Sequence, residues 1–192
     1  MSRYVVGITG ASGVIYGIRT LEAFQAMPDT EVHLVLSPNA ARTIELETSR
    51  RVEDVAALAD VVHDARDLAA PVSSGSFRSS GMIVAPCSVK TASAIAYSMN
   101  DTLLVRAADV TLKERRPLVL VVRETPLHLG HLRTLVRLSE MGAVILPPCP
   151  GFYTRPRTVD DIVNHTVGKA LDAVGLSNDM FERWSGALPP VR

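Results

Sequence analysis

The chain is poor in several features that would have fixed its class at once. Its 192 residues include 2 cysteines, Cys87 and Cys149, too few for a disulfide scaffold. Neither sign of charge is in excess, with 20 Lys and Arg against 20 Asp and Glu. A dedicated nucleic-acid or membrane-surface binder draws its affinity from a net basic footprint, so the electrostatics here must be local. No apolar run approaches the roughly 18 residues of a membrane span. The longest, Met82–Ala85, Pro117–Val122 and Gly142–Leu146, are strand-sized. The opening MSRYVVGITGASG enters a strand pattern directly, without the charged lead and cleavage site of a signal peptide. Internal repeats and low-complexity tracts are also missing. The expectation is one cytoplasmic, soluble domain over 1–192 that binds neither nucleic acid nor membrane.

What is present is an alternation of short β-branched runs with longer segments of helical period, the sequence form of repeated βα units. It predicts an α/β fold, a single doubly wound domain with a mainly parallel sheet. Strands are expected at Arg3–Thr9, Glu31–Leu36, Gly81–Ala85, Pro117–Val122 and Gly142–Leu146, with a short one at Val61–His63. Val14, Ile15, Ile18, Leu21 and Phe24 share one helical face, and Thr43–Glu47 and Val55–Ala59 form weaker helices. Further helices are expected at Ala92–Tyr97, Leu103–Leu112 and Leu129–Glu140. Thr158 and Asp161 form a capping signal ahead of the apolar stripe Ile162, Val163, Thr166, Val167, Ala170, Leu171 and Val174. Ser73–Ser80 is a polar loop before a buried strand, too short to link domains. The end of the chain after Trp184, with Pro189 and Pro190, is loosely held unless a partner chain covers it.

Doubly wound sheets bind ligands beyond the carboxyl ends of their strands, so the residues after each strand carry the chemistry. Gly7–Gly13 after the first strand is either a tight βα turn or an anion site at a helix N-terminus. A nicotinamide dinucleotide is disfavoured, because the second strand ends in Leu36-Ser37 where an acid would hold the ribose. A short-chain dehydrogenase is disfavoured too: four positions after Tyr16, Tyr97 and Tyr153 stand Thr20, Asp101 and Arg157, never Lys. Pro86–Thr91 after the third strand is a second cluster of hydroxyls and helix N-terminal amides, and two such loops suit a mononucleotide such as FMN. Cys87 reads as a small buried residue before it reads as a nucleophile. Arg106, Asp109 and Lys113 share a helix face as either a solvated ion-pair ladder or a binding set in which Asp109 orients a base. Arg123-Glu124 sets a cation beside a carboxylate at a strand end, suited to a phosphate and a moving proton. His128 and His131 have no third ligand near them, so no metal site is expected.

Several of these segments together resemble the UbiX family of flavin prenyltransferases, over nearly the whole chain. The markers are Gly7–Gly13 (GITGASG), Ile44–Thr48 (IELET), Ser73–Arg78 (SSGSFR), Gly81–Ser88 (GMIVAPCS), Arg106–Arg115 (RAADVTLKER), Leu118–Pro126 (LVLVVRETP) and Gly151–Tyr153 (GFY). The resemblance implies a flavodoxin-like Rossmann fold and a homododecamer with sites at subunit interfaces. It also implies a metal-independent transfer of a dimethylallyl group, from dimethylallyl phosphate to reduced FMN, for a UbiD-type decarboxylase.

On that resemblance Gly10, Ala11, Ser12, Ser37, Ser88, Val89, Lys90, Thr91 and Arg123 contact FMN. Tyr153 and Lys169 contact the prenyl phosphate, with Arg106, Lys113 and Glu124 completing its pocket, some from a neighbouring subunit. Ser12, Glu47 and Glu124 are the catalytic candidates, Glu47 as a proton-handling or orienting group. Trp184 matches an aromatic that closes over the site, on a tail from about residue 177 expected to pack on a neighbour. The chain departs from well-known members at Leu68, where they carry Trp, and at Lys169, where many carry Arg. Two other readings are an FMN-dependent decarboxylase of the cysteine type and a non-catalytic flavin carrier. Ser98-Met99-Asn100 is similar to a loop of the former, but its flanking residues are missing.

Overall fold

The β-branched runs become six parallel strands: β1 (Ser2–Ile8), β2 (Thr30–Leu36), β3 (Val61–His63), β4 (Gly81–Cys87), β5 (Leu118–Val122) and β6 (Val144–Ile145). The computed structural model describes residues 1–186; Pro189 and Pro190 of the tail lie outside the described residues. The strand order is β3-β2-β1-β4-β5-β6. Without the three-residue edge strand β3, it is the order of flavodoxin-like sheets. Every residue of β4 is buried, as expected of a central parallel strand covered on both faces.

The helices are α1 (Val14–Gln25), α2 (Pro38–Glu47), α3 (Val52–Ala56), α4 (Val89–Ala96), α5 (Leu103–Lys113), α6 (Leu129–Glu140) and α7 (Val159–Ala173). Alternation along the strands divides the core in two. Val6, Ile8, Ile83, Ala85, Val119 and Val121 face α1 and α7, around Ile18, Leu21, Phe24, Val167 and Leu171. Val5, Met82, Val84, Leu118 and Leu120 face the other way, onto Ile95, Leu103, Leu104 and Ala108 of α4 and α5. α1 lies so close to β4 that a Cβ on Gly17 would stand 2.2 Å from the carbonyl oxygen of Ala85. Glycine is required there by the close approach.

The sheet is parallel throughout, where mainly parallel was expected. α2 begins at Pro38 rather than Thr43, because proline at the first position is already set for a helix. α4 begins at Val89 rather than Ala92, because Ser88 accepts from the amide of Thr91 as its N-cap. α3 lies three residues earlier than Val55–Ala59. β6 keeps only Val144 and Ile145 of its expected five residues, since Pro147 and Pro148 follow without amide donors. α7 has the expected capping box of Thr158 and Asp161. Among the residues of α6 only Leu138 is buried, while Leu129, Leu132 and Val136 are exposed at 59%, 46% and 57%. No helix among the described residues is long and apolar enough to cross a membrane.

Candidate active site

The strand order reverses between β1 and β4, and the loops leaving these two strands are stitched together by one buried hydroxyl. Thr9, 1% exposed, donates from Oγ1 to the carbonyl of Pro86 (2.7 Å) and accepts from the amide of Ser88 (3.0 Å). The amide of Ser37, after β2, bonds to the carbonyl of Ile8 at 2.9 Å. Gly10, Ala11, Ser12, Ser37 and Ser88–Thr91 are thereby gathered at the carboxyl end of the sheet, where doubly wound folds have their crevice. Gly13 takes φ +97°, a backbone that L side chains rarely adopt, and starts α1. The amides of Gly13 and Val14 are met by Glu47 Oε2 at 2.8 and 3.2 Å. The anion at the N-terminus of α1 is therefore the protein's own carboxylate, and Glu47 orients the Ser12 loop.

A second helix N-terminus, that of α4, faces the same crevice. Its first amides, on Val89 and Lys90, have no partner within the helix. Ser88 Oγ accepts from the amide of Thr91 (3.2 Å) and donates to its hydroxyl (3.1 Å). The amide of Arg123 bonds to the carbonyl of Cys87 at 3.1 Å, which sets Arg123 and Glu124 beside this turn. Glu124 is half-buried and accepts the amide of Thr125 on one carboxylate oxygen (3.0 Å). Ser37 Oγ is buried with no hydrogen-bond partner among the described residues. An orphaned hydroxyl, unpaired helix amides and an exposed guanidinium in one crevice fit a phosphate-bearing flavin. Cys87 is buried and its thiol is pushed up to about 12 by burial, so it packs as a small apolar residue.

Tyr153 and Lys169 lie elsewhere, Tyr153 in the loop ahead of α7 and Lys169 on that helix. Arg19 of α1 ties the start of α7 down through Asp160 at 2.8 Å and through Asn164. The phenol of Tyr153 lies 3.0 Å from His165 Nε2, and its ring stands edge-on to Trp184 at 5.8 Å. One turn on, Lys169 Nζ is 4.0 Å from Asp172, whose carboxylate is held more closely by Arg183 at 2.7 and 3.0 Å. The Arg183 bonds hold the Asp172 carboxyl below the usual range. Lys169 is only loosely paired and half-exposed, free to turn to an anion. From Asn178 to Trp184 the tail folds back on α7 of its own chain: Asn178 donates to the Gly168 carbonyl and Phe181 lies against Gly168.

Arg106 and Lys113 form a third group. Arg106 donates to Asp109 (3.1 Å) and to the carbonyl of Ser73 (3.1 Å), and Asp109 is fixed in turn by Ser98 and Asn100. Asp109 orients Arg106 alone, because Lys113 pairs with Glu114. Lys113 ends α5 beside Gly75, in the loop that leads into the start of β4, and the amide of Ser80 bonds to Arg3 in β1. It therefore lies at the amino-end edge of the sheet, opposite the crevice. A strand as long as β4, 7 residues, spans about 23 Å.

Within one chain these three groups occupy separate places, where the resemblance implies a pocket drawn partly from a neighbouring subunit. Sequence reasoning missed His165, although its position four residues before Lys169 on one helix face was a usable signal, and it missed the Asp172–Arg183 clamp. His128 caps α6, its Nδ1 accepting from the amides of Gly130 (3.0 Å) and His131 (3.3 Å). No group of three metal-ligating side chains occurs among the described residues.

Residues 1–171 match the flavoprotein family. The chain is 58% identical to flavin prenyltransferase UbiX of Escherichia coli strain K12, over 97% of this chain and 100% of the other. A dodecameric FMN-dependent UbiX-like decarboxylase from Escherichia coli O157:H7 superposes with a TM-score of 0.94 at 52% identity, covering 96% of this chain and 100% of that one. A UbiX solved in complex with FMN and dimethylallyl pyrophosphate superposes with a TM-score of 0.95 at 50% identity, covering 97% and 98%.

Proposed function

The chain belongs to the flavoprotein family and, within it, to the UbiX flavin prenyltransferases, and we propose that it joins a dimethylallyl group from dimethylallyl phosphate to reduced FMN. The observation that carries this reading is the 58% identity over 97% of the chain. The crevice supports it by offering a flavin its unpaired donors. Gly10, Ala11, Ser12, Ser37, Ser88, Val89, Lys90, Thr91 and Arg123 hold the flavin there. Reduced FMN, when bound, supplies a nucleophilic ring nitrogen and a neighbouring ring carbon.

The protein's own task lies at the phosphate. An allyl phosphate reacts only if the charge that collects on the leaving phosphate is offset. Tyr153 and Lys169 bind that phosphate, Arg106 and Lys113 add positive charge, and Glu124 carries a proton to it while Ser12 relays one near the flavin. Glu47 acts by orienting, since its carboxylate is engaged by the α1 amides. Trp184 closes the site. Lys113, at the opposite edge of the sheet from its own crevice, serves the site of a neighbouring copy. That sharing, the exposed face of α6 and the dodecameric relative favour a homododecamer, with the outer side of the tail from about 177 against a neighbour. The product passes to a UbiD-type decarboxylase in the cytoplasm. A plain flavin carrier has no use for a second phosphate site.

Anaerobic incubation of the protein with reduced FMN and dimethylallyl monophosphate, followed by the mass of the extracted flavin, tests the reading. The expected result is a gain of one five-carbon unit. Unmodified FMN with both the monophosphate and the diphosphate overturns it.

A further inference from the structure

His165 is a group the reaction has not used, and its surroundings fix it in one orientation. Its Nε2 lies 3.0 Å from Tyr153 Oη, and its ring stands edge-on to Phe181 at 4.8 Å. Phe181 is itself pressed onto Gly168, where a Cβ would come within 2.5 Å of the phenyl ring. A Cβ on Gly151 would lie 3.2 Å from the Tyr153 ring and 3.5 Å from the His165 ring, so both rings pack against that glycine. Burial and then the charge of Lys169 hold the imidazole below its ordinary value, which favours the neutral ring.

A neutral imidazole can face a phenol in two ways. If Nε2 accepts the phenol hydrogen, Tyr153 turns only lone pairs toward an incoming phosphate dianion. If Nε2 carries the hydrogen and donates it to Oη, the phenol hydrogen is free for the phosphate. Donors in series polarise one another, and anchoring Oη removes rotation that binding would otherwise have to freeze. We propose that His165 is a positioning residue for the prenyl phosphate: Nε2–H donates to Tyr153 Oη and turns the phenol O–H, beside Lys169, onto a phosphate oxygen. This rests on Tyr153 and Lys169 forming the phosphate end of the prenyl-transfer site.

The test uses the FMN-loaded protein, the affinity for dimethylallyl monophosphate by calorimetry with oxidised FMN, and KM and kcat with reduced FMN. His165→Phe keeps an aromatic ring and removes the donor. One net hydrogen bond corresponds to about 2- to 12-fold, so Kd and KM should rise by about that factor, with kcat changing less. His165→Gln, whose amide donates, should recover most of the loss. In a Tyr153→Phe background His165→Phe should add less than about twofold. His165→Met is the second variant should the phenylalanine form fail to assemble. The inference is overturned if either apolar variant leaves Kd and KM unchanged, if the effect persists in full without the Tyr153 hydroxyl, or if His165→Gln recovers nothing. A wild-type protein that neither binds nor uses a prenyl phosphate overturns the functional reading and this inference with it. One that prenylates FMN while His165→Phe matches it overturns the inference alone.

Discussion

The proposed flavin side and the proposed phosphate side of the site are built in different ways. Around the crevice, loops leaving β1, β2, β4 and β5 are fixed by backbone bonds and by Thr9, which is buried between two strand ends. On the proposed phosphate side, Tyr153 meets His165 of α7 and Trp184 of the tail through side chains, Lys169 pairs loosely with Asp172, and Arg106 and Lys113 sit on α5. The loops around the crevice are fixed relative to one another within one chain by the fold's own backbone. Long cations on separate helices leave room for the proposal that another copy completes the phosphate pocket.

The sharpest break in that comparison is Glu124→Gln. It removes the proposed proton carrier but keeps an oxygen to accept the Thr125 amide, so kcat should fall by about 100-fold or more with FMN still bound. Single-turnover rates alongside the FMN content of the purified variant check it, and equal turnover would remove Glu124 from the chemistry. Next comes complementation. Arg123→Ala and Lys113→Ala strike opposite edges of the sheet, so mixed oligomers of the two, formed by co-expression, should regain part of the activity that each lacks alone. Activity no higher than that of the parents would mean that each site takes both residues from one chain.

Thr9→Val tests the backbone side. The substitution keeps the shape and leaves the Ser88 amide and the Pro86 carbonyl without their partner, a cost of about 1–3 kcal/mol. Thermal unfolding should then occur about 2–4 °C lower for each kcal/mol lost, with weaker FMN retention. The smallest effect concerns neither side. Burial, and then the neighbouring His33, hold His63 below its ordinary value of about 6.5, while Asp67 opposes them. His33 Nδ1 stands 2.9 Å from His63 and its Nε2 is 2.8 Å from Glu31, which also pairs with Arg3. Because the unfolded chain takes up the proton first, this stability is present above about pH 6.5 and is lost as pH falls through the folded value. The unfolding temperature of His63→Gln should therefore fall less than that of wild type between pH 7.5 and 5.5, and parallel curves would exclude His63 as a source of acid sensitivity.

Much of the fold was legible because periodicity is a local property. β3 at Val61–His63 and the capping box of α7 fall where the pattern puts them. Boundaries moved where a neighbour decided them: α4 starts at its serine cap, and β6 shrinks against two prolines. On the proposed flavin side Ser88 and Arg123 stood out because each directly follows a strand, and Ser37 by resemblance. Glu47 was found only by resemblance, and its partners, the amides of Gly13 and Val14, are 34 and 33 residues away.

The sequence by itself determined the alternation of strands and helices, the two-sided burial of β4 and the residue types at each strand end. Each of these depends on neighbours a few positions apart. Only the tertiary structure decided that Glu47 occupies the α1 amides, that Thr9 joins two strand ends and that His165 meets Tyr153. It alone decided that Lys113 lies at the far edge of the sheet from Ser12, because the direction of a parallel strand and the path of the helix after it set which edge a residue reaches.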